Sequence, residues 1–227
     1  MHCFRCGSES ADGSNVCVMC GRPLERDPDR FFRAGMEAMA SGDLTEAVDL
    51  LDDCTRLNPD HLSGRYNLGM ALCLASRCDE AIEQYETIAR EQPEYAGIYT
   101  ALGQAAFGSF LDHQERAESQ REAMVRYLLT AIEQDPYDVD AHFSLGNVYI
   151  AINSPEKSLR CLQNALHLHP DSPAIHYTIA KALKMLGKYP EAAMMAQKSM
   201  QLSGLDDPFR DDIQALFTEL QEIVTAL

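Results

Sequence analysis

The chain has 227 residues, 46% of them hydrophobic, which suits one substantial core or a small module joined to a larger one and argues against disorder. It holds no run of about 18 apolar residues, and it opens on cysteines and charges rather than on a basic segment leading into an apolar stretch. Neither a membrane span nor an export signal is expected, and a cytoplasmic location is; a formal charge of -16 also disfavours nucleic acid as a partner, because phosphate backbones are bound by clustered Lys and Arg.

The charge is uneven. Residues 1–150 carry 26 acidic and 12 basic side chains and no lysine, whereas residues 151–227 carry 9 acidic and 7 basic, including all five lysines. This favours basic partners for the first part, although a solvated acidic surface gives the same pattern.

Residues 1–26 contain Cys3, Cys6, Cys17 and Cys20, two Cys-x-x-Cys pairs, each followed by a glycine, Gly7 and Gly21. Two residues between paired cysteines let one tight turn present both sulfurs to one ion, and four thiolates make the tetrahedral set that zinc prefers. The segment resembles the short zinc ribbons at the start of many bacterial proteins, over about 22 residues. One Zn2+ per chain is predicted, with Cys3, Cys6, Cys17 and Cys20 as its ligands. Iron in the same site, a redox switch built on the same thiolates and a nucleic-acid-binding ribbon remain alternatives. His2 is a bystander, since four sulfurs fill the site. Only Phe4, Val16, Val18, Met19 and Leu24 are available for an apolar centre, so metal binding must supply the folding free energy. Pro23, Asp27 and Pro28 then read as a linker. Cys54, Cys73, Cys78 and Cys161 are scattered singly and read as small core or surface residues.

From residue 28 onward the chain is periodic. Pro59, Pro93, Pro136 and Pro170 recur at intervals of 34, 43 and 34, and Gly204 follows after another 34. Gly35, Gly69, Gly103, Gly146 and Ala180 share that period, as do Ala47, Ala81, Met124, Ser158 and Ala192. Within each interval the apolar spacing predicts two helices: Leu68, Ala71, Leu72 and Ala75, then Ala81, Ile82, Tyr85, Ile88 and Ala89. The small residues mark where paired helices cross, and each proline ends a pair.

This pattern resembles the tetratricopeptide repeat. Phe31, Ala34, Gly35, Ala47, Leu51 and Pro59 carry the resemblance in the first repeat, Leu68, Gly69, Ala81, Tyr85 and Pro93 in the second, and Leu145, Gly146, Tyr149, Leu162, Ala165 and Pro170 in the fourth. The third has Tyr99, Leu102 and Gly103, then Leu128, Ala131 and Pro136 after nine extra residues; the fifth is degenerate. The fold implied is all-α, a superhelix of antiparallel helix pairs preceded by the zinc-ribbon module. The repeats span residues 28–61, 62–95, 96–138, 139–172 and 173–206 within 27–206, and a capping helix at 207–227 carries Ile213, Leu216, Phe217, Leu220 and Ile223 on one stripe. Asp112 and Glu115 suggest a capping box, which puts the extra residues of the third repeat at the start of its second helix.

The resemblance also implies a concave face lined by the first helix of each pair. On it fall Phe32, Met36, Met39, Tyr66, Met70, Cys73, Gln104, Phe107, Phe143, Asn147, Tyr177, Lys181 and Lys184. Aromatic and Met side chains dominate, which suits a protein or peptide partner offering an amphipathic helix or an extended apolar segment. His113, His142, His167, His169 and His176 have no nucleophile placed beside them, and no glycine-rich phosphate loop occurs, so an enzyme is not expected. The reading is a scaffold or adaptor; the alternative is a redox- or metal-responsive regulator whose zinc ribbon controls partner binding.

Overall fold

The computed structural model describes residues 6, 8, 9, 17–21, 27–112, 117–204 and 207–226. Among these there are eleven helices, and Glu9 forms an isolated bridge. The chain divides into two compact units, Met1–Tyr95 and Ala96–Leu227.

In the first unit, α1 (Pro28–Ser41) pairs with α2 (Leu44–Leu57), and α3 (Leu62–Leu74) with α4 (Cys78–Glu91). Three of the four starts have a side-chain cap. Pro28 takes the first helical position, where no amide proton is needed, and the Asp27 carboxylate accepts from the Asp29 amide. Asp43 caps α2 by accepting from the Glu46 amide at 3.0 Å. His61 caps α3 through Nδ1, which accepts from the Gly64 amide at 2.8 Å. Its Nε2 lies 3.2 Å from Asp29 Oδ1 and its ring 5.1 Å from that of Phe32, so one side chain ties α1 to the start of α3.

The second unit holds α5 (Ile98–Asp112), α6 (Ala117–Gln134), α7 (Val139–Ala151), α8 (Pro155–Leu168), α9 (Pro173–Met185), α10 (Tyr189–Leu202) and α11 (Arg210–Ala226). Each of these helices packs on the next; α5 also reaches α7, and α7 reaches α9. Thr100 in α5 donates to Asp138 Oδ2 at 2.6 Å, while Oδ1 of the same carboxylate caps α7 by accepting from the Ala141 amide at 2.9 Å. One aspartate therefore sets both the start of a helix and its register on the preceding pair.

The helix pairs close over their small residues. A Cβ on Gly35 would lie 2.7 Å from Leu51 Cγ, one on Gly69 2.5 Å from Tyr85 Cε1 and one on Gly146 2.6 Å from Leu162 Cδ2; Gly103 stands in the same relation to Leu128. In the fifth repeat the glycine is replaced by Ala180, and the position across from it holds Ala196; both are fully buried in one cluster. The extra methyl is accommodated because the facing side chain is small.

Eight of the nine extra residues of the third repeat are divided equally between both helices, which corrects their assignment to the second alone. Nine residues of α5 follow Gly103, where five of α3 follow Gly69; seven residues of α6 precede Met124, where three of α4 precede Ala81. Asp112 is the last residue of α5, and Glu115 of the expected capping box lies outside the described residues. Phe107 and Phe110 are half-buried on α5, and the Arg121 guanidinium of α6 sits 5.7 Å from the Phe110 ring, giving the lengthened hairpin a contact of its own.

Helix α11 buries Ile213, Leu216 and Leu220 and packs on α10. Arg210 Nη1 donates to the Ser203 carbonyl at 2.8 Å, to Ser203 Oγ and to the Gly204 carbonyl, fixing the approach to α11 by satisfying the end of α10. Leu220 is fully buried, so Leu220→Ala is expected to cost about 3 kcal/mol in urea unfolding. A loss below about 1 kcal/mol would mean that α11 is not part of the core.

Candidate binding faces and metal centre

Twelve of the thirteen candidate face residues are half-buried and Gln104 is exposed, while the adjacent helix positions Leu68, Leu102 and Leu145 are fully enclosed. In the first unit Tyr66 lies between two rings, 5.5 Å from Tyr85 and 5.7 Å from Tyr95. Met36 and Met39 on α1 and Met70 and Cys73 on α3 are half-buried, as is Phe32 against His61.

In the second unit Gln104 Nε2 donates to Ser144 Oγ at 3.0 Å, joining α5 to α7, and Phe107 lies one turn further along α5. Phe143, Asn147, Tyr177 and Lys181 come together around a cavity of about 370 Å³. The Lys181 ammonium sits 5.4 Å above the Tyr177 ring. Lys184 is engaged: its ammonium is 2.6 Å from the Glu219 carboxylate of α11. The other wall of the cavity is Asp207, Phe209 and Ile213, of which the sequence signalled only Ile213. Phe209 stands four residues before Ile213, in register with the stripe of α11, and that spacing is the signal that could have marked it.

The sulfurs of Cys6, Cys17 and Cys20 all lie within 4.8 Å of one another, with Cys6 and Cys17 3.6 Å apart. Cys3, like His2 and Gly7, falls outside the described residues. Gly21 takes φ 70° and its amide donates to the Cys17 carbonyl at 2.8 Å, closing the turn behind the second pair. Ser8, which the sequence did not single out, places its hydroxyl 3.0 Å from Cys6 Sγ and 3.1 Å from Cys17 Sγ. The Ser8 hydroxyl, together with the Cys20 and Met19 amides, holds the Cys17 thiol down to about 5. The cluster can therefore present a thiolate to a metal at neutral pH. Val18 and Met19 are 70% and 76% exposed and belong to no apolar centre, a correction explained by their place at the tip of the cysteine turn; Phe4, Val16 and Leu24 lie outside the described residues.

Two of the five histidines noted in the sequence are held structurally, and His113 lies outside the described residues. His142 Nε2 donates to the Pro136 carbonyl at 3.1 Å, and His176 Nδ1 to the Ser172 carbonyl at 2.9 Å. Among the described residues no helix is long and apolar enough to cross a membrane.

Two family models match, tetratricopeptide repeat at residues 32–96 and TPR repeat at residues 146–187, and neither describes an enzyme. A curated relative, the BBSome complex member BBS4 homolog of Drosophila melanogaster, is 23% identical over 165 residues, which are 69% of this chain and 34% of that protein. Superkiller protein 3 of Saccharomyces cerevisiae is 27% identical over 100 residues, 44% of this chain and 7% of that protein. The chain thus spans about a third of the first relative's length and far less of the second. Among solved structures, a thermophilic TPR protein of Thermus thermophilus aligns with a TM-score of 0.71 at 22% identity, covering 86% of this chain and 100% of that one. PilF of Pseudomonas aeruginosa gives 0.68 at 17%, covering 87% and 84%, and MamA of Desulfovibrio magneticus RS-1 gives 0.64 at 19%, covering 77% and 94%. Tetratricopeptide-repeat models thus match residues 32–96 and 146–187, and the fold is the array of antiparallel helix pairs that these solved structures share.

Proposed function

We propose that this chain is a non-enzymatic scaffold that recruits a protein partner through the first-helix faces of its repeats, acting in the cytoplasm with a structural zinc at its N-terminus. The observation that carries the proposal is the stripe of aromatic and Met side chains, Phe32, Met36, Met39, Tyr66 and Met70, left half-exposed beside fully buried leucines. Such a surface fits an amphipathic helix or an extended apolar segment, and Met side chains repack around either. The Drosophila relative is by its name a member of a complex, in keeping with this role.

Zinc fits the thiol cluster on geometry. Four sulfurs at about 2.3 Å from a tetrahedral ion lie about 3.8 Å apart, and the Cys6–Cys17 separation is 3.6 Å. Cys3 is proposed as the fourth ligand. A second reading, in which oxidation of the cluster regulates partner binding, is favoured by the acidified Cys17 thiol beside Cys6. Mild peroxide separates the two: release of zinc with altered binding supports regulation, and inert sulfurs support a structural role.

The test of the scaffold is a pull-down from native lysate with wild type and the Tyr66→Ala/Met70→Ala double variant, circular dichroism confirming that both fold. A set of specific proteins lost from the variant is expected. An unchanged set would overturn the assignment of binding to this face.

A further inference from the structure

A second pair of thiols is brought together away from the metal cluster. Cys73 lies in the last turn of α3 and Cys78 is the first residue of α4. The turn between them is closed twice: the Arg77 amide donates to the Leu72 carbonyl at 2.8 Å and the Ser76 amide to the Cys73 carbonyl at 3.0 Å. Ser76 takes φ 59°, the left-handed conformation that this helix ending requires. The closed turn sets the two cysteines on either side of it, with Cys78 near enough to act on the Cys73 thiol. Neither is in a disulfide; Cys73 is half-buried and Cys78 is 8% exposed.

The repeat itself does not call for sulfur at these places. The positions four and nine after the small residue hold Met39 and Leu44 in the first repeat, Ile150 and Pro155 in the fourth, and Lys184 and Tyr189 in the fifth. Packing is thus served by ordinary side chains, and only the second pair of helices juxtaposes two thiols across its turn.

We propose that Cys73 and Cys78 form an oxidisable dithiol, converted to an intramolecular disulfide by low-molecular-weight disulfides such as oxidised glutathione. In the first step the more accessible Cys73 thiolate attacks one sulfur of the small disulfide and expels a small thiolate, leaving a mixed disulfide on Cys73. Cys78 then gives up its proton to solvent, and its sulfur attacks the Cys73 sulfur and expels the second small thiolate. Two protein thiols are oxidised, one small disulfide is reduced, and two small thiols leave. Burial, reinforced by the neighbouring Cys78, pushes the Cys73 thiol up to about 12, so the first step is slow at neutral pH and faster in mild alkali. Because Cys73 also lies on the candidate face of the first unit, closure of the disulfide would remove a thiol from that surface; this last link rests on the proposed function, whereas the dithiol chemistry does not.

The test uses the full chain loaded with zinc, incubated with oxidised glutathione at neutral and mildly alkaline pH, alkylated with N-ethylmaleimide and digested with trypsin. Cleavage after Arg65, Arg77 and Arg90 puts the two cysteines on separate peptides, 66–77 and 78–90. The expected product is these two peptides joined and lighter by two hydrogens than their sum, formed faster in mild alkali and separated again by dithiothreitol. The Cys73→Ser variant should yield no joined peptide, with peptide 78–90 recovered as its maleimide or glutathione adduct. Recovery of 66–77 and 78–90 from folded wild-type protein only as separate maleimide or glutathione adducts would overturn the proposal. So would a disulfide from either cysteine to Cys54 or Cys161 in its place.

Discussion

Gly69→Ala and Tyr85→Ala are each expected to destabilise the first unit, and together to cost less than the sum of the two. In a free helix, alanine in place of glycine gains up to about 1 kcal/mol. Here the new Cβ would lie 2.5 Å from Tyr85 Cε1 and 2.7 Å from Cζ, and Tyr85 is 3% exposed with little room to move. Overpacking of this kind costs about 1–3 kcal/mol and outweighs the propensity gain. The larger Gly69→Leu substitution should lose about 3 kcal/mol. Tyr85→Ala alone loses the buried ring, a change of about 3–5 kcal/mol.

With the ring gone, the methyl at position 69 has space and fills part of the cavity. The protein already contains this solution in the Ala180 and Ala196 pair of its fifth repeat. A double-mutant cycle by urea unfolding should therefore give a favourable coupling of at least about 1 kcal/mol. Strict additivity would refute the close approach of α3 and α4 at this crossing.

Cys17→Ser is expected to abolish zinc binding, taking the metal content of purified protein from one ion per chain to none by elemental mass spectrometry. Cys17 is the buried member of the cluster and accepts the Ser8 and Met19 contacts, so its sulfur is the one that the local structure orients. A serine hydroxyl supplies no thiolate in its place. With Val18 and Met19 in solvent, the segment has little apolar surface to bury, and metal binding worth about 10–16 kcal/mol in zinc-finger peptides is what would order it. Limited proteolysis should then cut the variant within residues 1–26, while its helical circular dichroism stays close to that of the wild type. Retention of one zinc per chain by Cys17→Ser would sink the four-cysteine assignment.

The helix pairs were legible because their causes repeat along the sequence. Three sets of markers with a 34-residue period gave the register; the stripe Leu68, Ala71 and Leu72 falls on α3, with Ala75 at its C-cap, and Ala81–Ala89 falls on α4. The stripe of α11 was equally plain: Ile213, Leu216 and Leu220 are spaced for one helix face, and all three are buried. The spacing of the cysteines likewise announced a cluster of sulfurs, three of which come together.

What the sequence by itself determined is therefore whatever depends on near neighbours: helices of regular period, the small residues at their crossings and the cysteine turns, all governed by hydrogen bonds and side-chain spacing within a few residues. Tertiary structure decided which distant side chains meet. Lys184 finds Glu219, Thr100 finds Asp138, and Phe209 closes a cavity with Phe143 and Tyr177. It also divided the extra residues of the third repeat between α5 and α6, where the contact of Arg121 with Phe110 joins two helices. Cys73 and Cys78 read as isolated because four residues separate them; only the closed turn between α3 and α4 makes them neighbours. The physical reason is the same throughout: periodicity encodes which face of a helix is apolar, but the partner of a polar or sulfur group on that face is fixed only when helices pack.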